Sequence, residues 1–174
     1  SKYILNMVNL LKPILRKVFP TEFLRKMKRK MVSESFNKLK DLKIIPYANN
    51  HYQQGVNLIG NIKAETGLGQ SCRLVAAALE KTSFSLSIYQ YTQLGTQSMR
   101  DISWDSKISE HLPNDINLIH INPYELGMAY LEMERSVWDY RYNIAYWLWE
   151  LEEFPDEWTP CFYCLDEIWA PSEF

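Results

Sequence analysis

Short apolar runs alternate with helix-like stretches from residue 55 onward, and this alternation restricts the fold more than any other feature. The runs that predict strands are GVNLIGNI (55–62), FSLSIYQ (84–90), INLIHIN (116–122), YNIAYWLW (142–149) and the start of DEIWAPS (166–172). The stretches that predict helices are 67–82, 123–134 and 156–164, the last broken by Pro160. Strands that alternate with helices predict an α/β fold with a parallel sheet and helices on both of its faces.

The N-terminal part of the chain has a different composition. Residues 1–43 contain 12 lysines and arginines but only 3 acidic residues, although the whole chain carries a formal net charge of −2. Residues 4–18 and 21–42 are predicted helices, with Thr21 as the N-cap of the second. We therefore divide the chain into a basic helical arm, residues 1–54, and a domain, residues 55–174.

The arm suits two different environments. A basic amphipathic helix is typical of proteins that lie on an anionic membrane surface. The alternative is an arm that packs on its own domain and leaves its lysines in water. Binding of nucleic acid is not expected, because the arm lacks interleaved aromatic residues and any recognisable nucleic-acid-binding module.

Bulk features place the chain among cytoplasmic proteins. No apolar run reaches the roughly 20 residues that a transmembrane helix needs. The opening segment lacks the cleavage site of a signal peptide. The three cysteines, Cys72, Cys161 and Cys164, are a small and odd number, which does not suit a disulfide framework. We interpret Cys161 and Cys164 as buried structural residues rather than as a redox or zinc motif.

The segment AETGLGQS (64–71) places two glycines between a predicted strand and a predicted helix. It does not match the dinucleotide fingerprint, because Cys72 occupies the place of the third glycine and the next strand ends without an acidic residue. It does not match a P-loop either, since no Gly-Lys-Ser/Thr follows. Backbone amides of Gly67–Gly69 at a helix N-terminus favour an anion, and the alternative is a tight turn that needs a positive φ.

Four segments, in order along the chain, resemble one family. GVNLIGNIKAETGLGQSCRLVAAALE, NLIHINPYEL, YNIAYWLWELEEFPDEW and LDEIWAPSEF are similar to the N-terminal domain of group 1 (family 4) glycosyltransferases of the GT-B fold. The resemblance covers about residues 55–174 and does not include the arm. It implies a Rossmann-like, acceptor-side domain that is followed, beyond residue 174, by a donor domain across a cleft.

The resemblance also implies an activity. Family members are retaining enzymes that move a sugar from a nucleotide-sugar donor to a glycan or a lipid-linked acceptor, typically without a metal, so no cofactor is expected beyond the donor as co-substrate. The donor domain of the family carries two glutamates in the pattern E-x7-E, and no glutamate pair in this chain has that spacing. These 174 residues alone are therefore expected to be inactive.

Site residues follow from the same resemblance. Gly67, Leu68 and Gly69 match the turn that approaches the donor diphosphate, and Asn122 and Glu150 are the predicted catalytic residues. Asn122 departs from the family pattern, because many relatives have a histidine there and asparagine cannot act as a base.

The predicted acceptor-binding residues are Glu65, His120, Trp149 and Glu153. For His120, which alternates with Asn122 along its strand, the alternative is a hydrogen-bonded histidine beneath a helix. For the tryptophans Trp147 and Trp149, the alternative is the hydrophobic core. A non-catalytic module that binds carbohydrate or protein is the competing function for the whole domain.

Overall fold

The computed structural model describes residues 18–92, 98–148 and 152–171. Within them, five parallel strands form one sheet in the order β2-β1-β3-β4-β5. The strands are β1 (Gln53–Gly60), β2 (Ser85–Gln90), β3 (Asn114–His120), β4 (Tyr142–Tyr146) and β5 (Glu167–Trp169). The predicted α/β class and parallel sheet are confirmed, and the architecture is Rossmann-like. The third strand begins and ends two residues earlier than predicted.

Three α-helices lie within the described ranges: α1 (Thr21–Leu39), α2 (Gly67–Glu80) and α3 (Pro123–Glu132). Three 3-10 helices accompany them, at Asp105–Lys107, Arg135–Val137 and Asp156–Cys164. Thr21 is the first helical residue of α1 rather than its cap, since Pro20 occupies the cap position. Pro160 lies inside the last 3-10 helix and does not break it. The predicted helix 4–18 lies outside the described residues, apart from its final residue.

The two faces of the sheet are covered by different helices. On one face, Val56, Leu58 and Leu118 pack in a buried cluster with residues of α2. On the other face, Ile59 and Ile119 pack with residues of α1, α3 and the 3-10 helix Asp156–Cys164. Because side chains alternate along a strand, neighbouring residues such as Leu58 and Ile59 contribute to opposite layers. The core is therefore split in two by the sheet, as a doubly wound fold requires.

Helix α1 packs on the domain through its C-terminal half. Val32, Ser35, Phe36 and Leu39 are buried, and α1 contacts α3 and the 3-10 helix Asp156–Cys164. The contact with α3 is close, because a Cβ added to Gly127 would lie 2.8 Å from the Ser35 hydroxyl. This half of the arm thus belongs to the core, which is what the packed alternative predicts. None of the helices in the described ranges has the length and hydropathy of a membrane span.

A row of polar side chains, which no pattern in the sequence predicted, crosses the middle of the sheet. Asn57, Asn117 and Asn143 are register partners on β1, β3 and β4, and all three are buried. The Nδ2 of Asn57 donates to Oδ1 of Asn117 at 2.9 Å, and the Nδ2 of Asn117 donates to Oδ1 of Asn143 at 2.8 Å. The Nδ2 of Asn143 donates in turn to backbone carbonyls. We call these three residues the asparagine row.

Candidate functional site

The strand order creates a crevice at one edge of the sheet. The chain leaves β1 to form α2 on one face and leaves β3 to form α3 on the other, although β1 and β3 are neighbours. Ligands of open α/β sheets bind at such a switch point, outside the carboxyl ends of the strands. The residues that follow Gly60 and His120, register partners at these ends, therefore border the candidate site.

The loop between β1 and α2 is held by one arginine. The Nη1 of Arg73 donates to the carbonyl oxygens of Ile62 at 2.8 Å and Ala64 at 2.9 Å. Its Nε lies 3.3 Å from a carboxylate oxygen of Asp101. The pKa of Asp101 is lowered, first by the hydrogen bonds it accepts from Ser103 and further by Arg73. The loop is thus fixed in one arrangement before any ligand binds.

Gly69 is required by the packing of the loop. A Cβ at this position would lie 2.0 Å from the carbonyl oxygen of Ala64, which no side chain tolerates. Its φ is not positive, since Gly55 is the glycine with a positive φ among the described residues. The turn that needs a positive φ, the alternative in the sequence analysis, is therefore wrong. The amide of Gly69 is also engaged, because it donates to the hydroxyl of Thr66, the N-cap of α2, at 3.2 Å.

The packing of the loop does not require a glycine at position 67. A Cβ added there would meet nothing within 4 Å, and the residue is exposed. Among the described residues, no hydrogen bond is formed by the amide of Gly67 or Leu68. These two amides are the orphan donors of the first helical turn, where the helix dipole is positive. Of the three predicted diphosphate-binding residues, Gly67 and Leu68 therefore retain amides able to bind an anion.

Helix α2 approaches β1 closely without the third glycine of a dinucleotide fingerprint. The small residue lies on the strand instead, because a Cβ on Gly60 would be 2.9 Å from Sγ of Cys72. Burial raises the pKa of the Cys72 thiol to about 12. Cys72 is thus a packing residue and not a nucleophile.

His120 lies beneath the first turn of α2. The ring is completely buried, and its Nε2 is 3.0 Å from the hydroxyl of Ser71. Burial lowers the pKa of His120, so the ring is neutral at physiological pH. The predicted contact between His120 and an acceptor is not what the structure shows, because the ring has no exposed surface. The alternative, a hydrogen-bonded histidine beneath a helix, describes its position.

Asn122 does not lie on β3, which ends two residues earlier, so the predicted shared strand face with His120 is wrong. It is the N-cap residue of α3 and is half-buried. Its side chain makes no capping hydrogen bond. The amide group of Asn122 is thus positioned at the carboxyl edge of the sheet.

The remaining predicted site residues are distributed as follows. Glu65 and Glu153 are exposed, and the backbone of Glu65 is held by a hydrogen bond to the carbonyl of Ser98 at 2.9 Å. Glu150 and Trp149 lie outside the described residues. The structure therefore brings the glycine turn, Glu65 and Asn122 to the same edge of the sheet.

Trp147 belongs to the core, which is the alternative given for it, and Cys161 and Cys164 are buried as predicted. Trp147 is 4% exposed, and its ring stacks on Phe154 with 5.5 Å between ring centroids. Cys161 and Cys164 are buried and free, and burial raises the pKa of both thiols, to about 12 for Cys164. Among the described residues, no group of three His, Cys, Asp or Glu side chains is arranged to hold a metal ion.

A cavity of about 560 Å³, separate from the crevice and not predicted from the sequence, lies beside the C-terminal end of α3. Its wall includes Tyr91, Arg141 and Glu132. Burial raises the pKa of Glu132 to about 7, and a hydrogen bond with Tyr91 opposes that shift. The guanidinium of Arg141 stacks on the ring of Tyr52, 3.5 Å from its centroid. No local sequence pattern identifies this cavity, because its residues come from four separate segments.

The fold and the crevice define a Rossmann-like α/β domain in which the N-terminus of α2, with the amides of Gly67 and Leu68 that are unbonded among the described residues, lies at the switch point of the sheet. Comparisons with protein-family models, with curated proteins and with solved structures found no match.

Proposed function

We propose that this chain is the acceptor-side domain of a retaining GT-B glycosyltransferase that moves a sugar from a nucleotide-sugar donor to a saccharide acceptor. The observation that carries the proposal is Gly67. This glycine is exposed, has open space where a side chain would lie and has an uncommitted amide at a helix N-terminus. The fold does not need a glycine there, whereas a diphosphate that approaches the backbone does.

The chemistry suits these groups. When a glycosyl bond to a diphosphate breaks, negative charge collects on the leaving oxygens. Preorganised amides of Gly67 and Leu68 stabilise that charge without reorganising, because Arg73 and Thr66 already fix the loop. Asn122 and Glu65 orient acceptor hydroxyls, and Glu150, which the resemblance assigns to the cleft, is the proposed catalytic carboxylate.

We also propose that the enzyme is cytoplasmic and peripheral on the inner membrane face. Phe23 and Met27 on α1 are 45% and 43% exposed. Each lies nine residues before a buried residue, Val32 and Phe36 respectively, which is half a turn out of phase at 3.6 residues per turn. Phe23 and Met27 thus lie on the outward side of α1, beside the exposed ion pair of Lys30 and Glu34, and apolar side chains next to cations are typical of an interfacial helix.

A non-catalytic carbohydrate- or protein-binding module is the second candidate. Two observations favour it: His120 is buried, and Asn122 stands where many members of the resembled family carry a histidine. Such a module would bind a ligand in the crevice without turning it over.

The test uses the native-length polypeptide, tagged in its source cell and purified. It is incubated with labelled nucleotide sugars, one at a time, and with an extract of the glycans and lipids of the same cells. We expect label to move from one donor to the extract, with retained anomeric configuration. The Asn122→Ala variant should lower transfer at least tenfold. The control is Asn49→Ala, an exposed residue before β1 at the opposite edge of the sheet.

The two candidates give different results. Saccharide binding that Asn122→Ala weakens, without transfer from any donor, would favour the binding module. Equal transfer by both asparagine variants would remove Asn122 from the site.

A further inference from the structure

A groove of about 900 Å³ runs between α1 and the domain. Its floor is apolar and aromatic. Val32 and Phe36 of α1 meet Tyr124 of α3 and Trp158 of the 3-10 helix Asp156–Cys164. Trp158 lies between the other two rings, with centroids 6.5 Å from Phe36 and 5.6 Å from Tyr124. We call this feature the α1 groove.

The rim of the α1 groove is cationic. Lys26, Arg29 and Lys30 line it from α1, all of them exposed, and Glu157 is its acidic residue. Because Lys26 and Lys30 are four residues apart, their side chains lie one above the other on the same side of the helix. Lys28 adds a further positive charge nearby, with its Nζ 5.1 Å from the centroid of the Tyr124 ring. A cluster of cations thus borders an apolar floor.

This combination indicates the chemistry of the occupant. A neutral saccharide needs no cationic rim, and a free phosphate needs no apolar floor. An anionic amphiphile uses both, because its phosphate forms charge-assisted hydrogen bonds to Lys and Arg while its hydrocarbon chain buries apolar surface.

We propose that the α1 groove binds a lipid phosphate, with the phosphate at Lys26, Arg29 and Lys30 and the first part of the hydrocarbon chain on the aromatic floor. The placement agrees with both neighbours of the groove. Tyr124 is two residues from Asn122, at the carboxyl edge of the sheet, and the outward side of α1 with Phe23 and Met27 adjoins the cationic rim. Resting on the proposed function, the inference names the acceptor as a saccharide linked to a lipid through phosphate.

The test measures binding of decyl phosphate to the chain by titration calorimetry, with decyl phosphate kept below its critical micelle concentration. We expect saturable binding that is at least tenfold tighter than binding of decanol or inorganic phosphate. The variant K26Q/R29Q/K30Q should weaken binding at least tenfold. The matched control is K38Q/K40Q/K43Q, which removes the same charge from exposed positions of the arm that do not line the groove.

Each contrary result overturns the proposal. Equal loss in both triple variants would mean bulk attraction rather than a site. Equal affinity for inorganic phosphate and decyl phosphate would mean that the apolar floor contributes nothing to binding. An absence of binding, with circular dichroism showing a folded chain, would exclude the site.

A second experiment separates the groove from the membrane surface. Phe23→Ser with Met27→Ser should abolish flotation with anionic vesicles of phosphatidylglycerol and leave binding of decyl phosphate unchanged. Loss of both would mean that the outward side of α1, and not the groove, holds the amphiphile.

The groove and the proposed function can fail separately. If decyl phosphate binds through the groove but the native-length polypeptide transfers no sugar, the lipid-phosphate site stands and the proposed transferase function is rejected. If K26Q/R29Q/K30Q leaves sugar transfer unchanged, the transferase function stands and the role of the groove in acceptor binding is rejected.

Discussion

Two glycines separated by a single residue have different physical reasons to be glycine. Gly69 lies against the backbone of the preceding loop, with a hypothetical Cβ 2.0 Å from the Ala64 carbonyl oxygen, whereas Gly67 borders open space. The sequence indicates that the backbone comes close to something at this turn. It does not indicate which glycine meets the protein itself and which remains available to a ligand, because both have the same local context.

The first prediction compares Gly69→Ala with Gly67→Ala. Gly69→Ala should lower the free energy of unfolding by about 1–3 kcal/mol or more, because the added methyl forces the loop and α2 apart. Gly67→Ala should leave stability unchanged or raise it by up to about 1 kcal/mol, since alanine is the better helix former. Urea unfolding of both variants measures the difference. A stable Gly69→Ala protein would show that the loop yields to the extra methyl group.

At the scale of elements, the sequence predicts strands and helices well and their ends less well. The apolar runs locate all five strands, but the fourth ends at Tyr146 instead of residue 149, and Asn122 belongs to the cap of α3. These boundaries depend on where a neighbouring strand stops offering hydrogen-bond partners. That information is not local.

The asparagine row is a property of neighbouring strands together. Three amides buried in a parallel sheet are costly unless each one finds partners, and the register of β1, β3 and β4 supplies them. In the sequence, each of the three residues is one polar residue inside an apolar run.

The second prediction concerns the centre of this row. Asn117→Leu should lower the free energy of unfolding by about 2–6 kcal/mol, because it deprives Asn57 and Asn143 of a buried partner, each at a cost of about 1–3 kcal/mol. Thermal and urea unfolding measure the loss. The control is Asn37→Leu on the exposed side of α1, where substitutions usually change stability by less than about 0.5 kcal/mol. Equal effects at both positions would mean that the row contributes nothing specific.

At the scale of the whole molecule, the cavity beside α3 links stability to pH. Glu132 has a pKa raised from 4.5 to about 7 by burial. Between these values the folded protein holds a proton that the unfolded chain has lost. Stability therefore falls as the pH rises from about 4.5 to about 7, and it changes little through this group above that range.

The third prediction follows from this sign. Glu132→Gln keeps an acceptor for Tyr91 but has no charge to desolvate, so it should raise the melting temperature at pH 8 and have a smaller effect at pH 5. Melting curves across this range measure the difference between variant and parent. The control is Glu134→Gln, which removes the same charge from an exposed residue that lines the same cavity; an equal change in both variants would mean that loss of charge, and not burial of Glu132, causes the effect. A difference that is constant with pH would show that Glu132 keeps the same protonation state on unfolding. His111 and Arg141 also line the cavity, and they are present in the parent and in the variant, so their contributions to the pH dependence of stability cancel in the comparison.

The sequence by itself determined the class of fold, the glycine turn at the start of α2 and the structural nature of Cys161 and Cys164. These depend on periodicity, composition and spacing, which are local. Only the tertiary structure decided that His120 is buried under Ser71, that Gly67 and not Gly69 has a free amide, and that α1 forms a groove with the domain. The physical reason is that each of these depends on contacts between residues far apart in the chain, such as Ser71 with His120 and Phe36 with Trp158. Strand order and helix packing create such contacts, and no short stretch of sequence contains them.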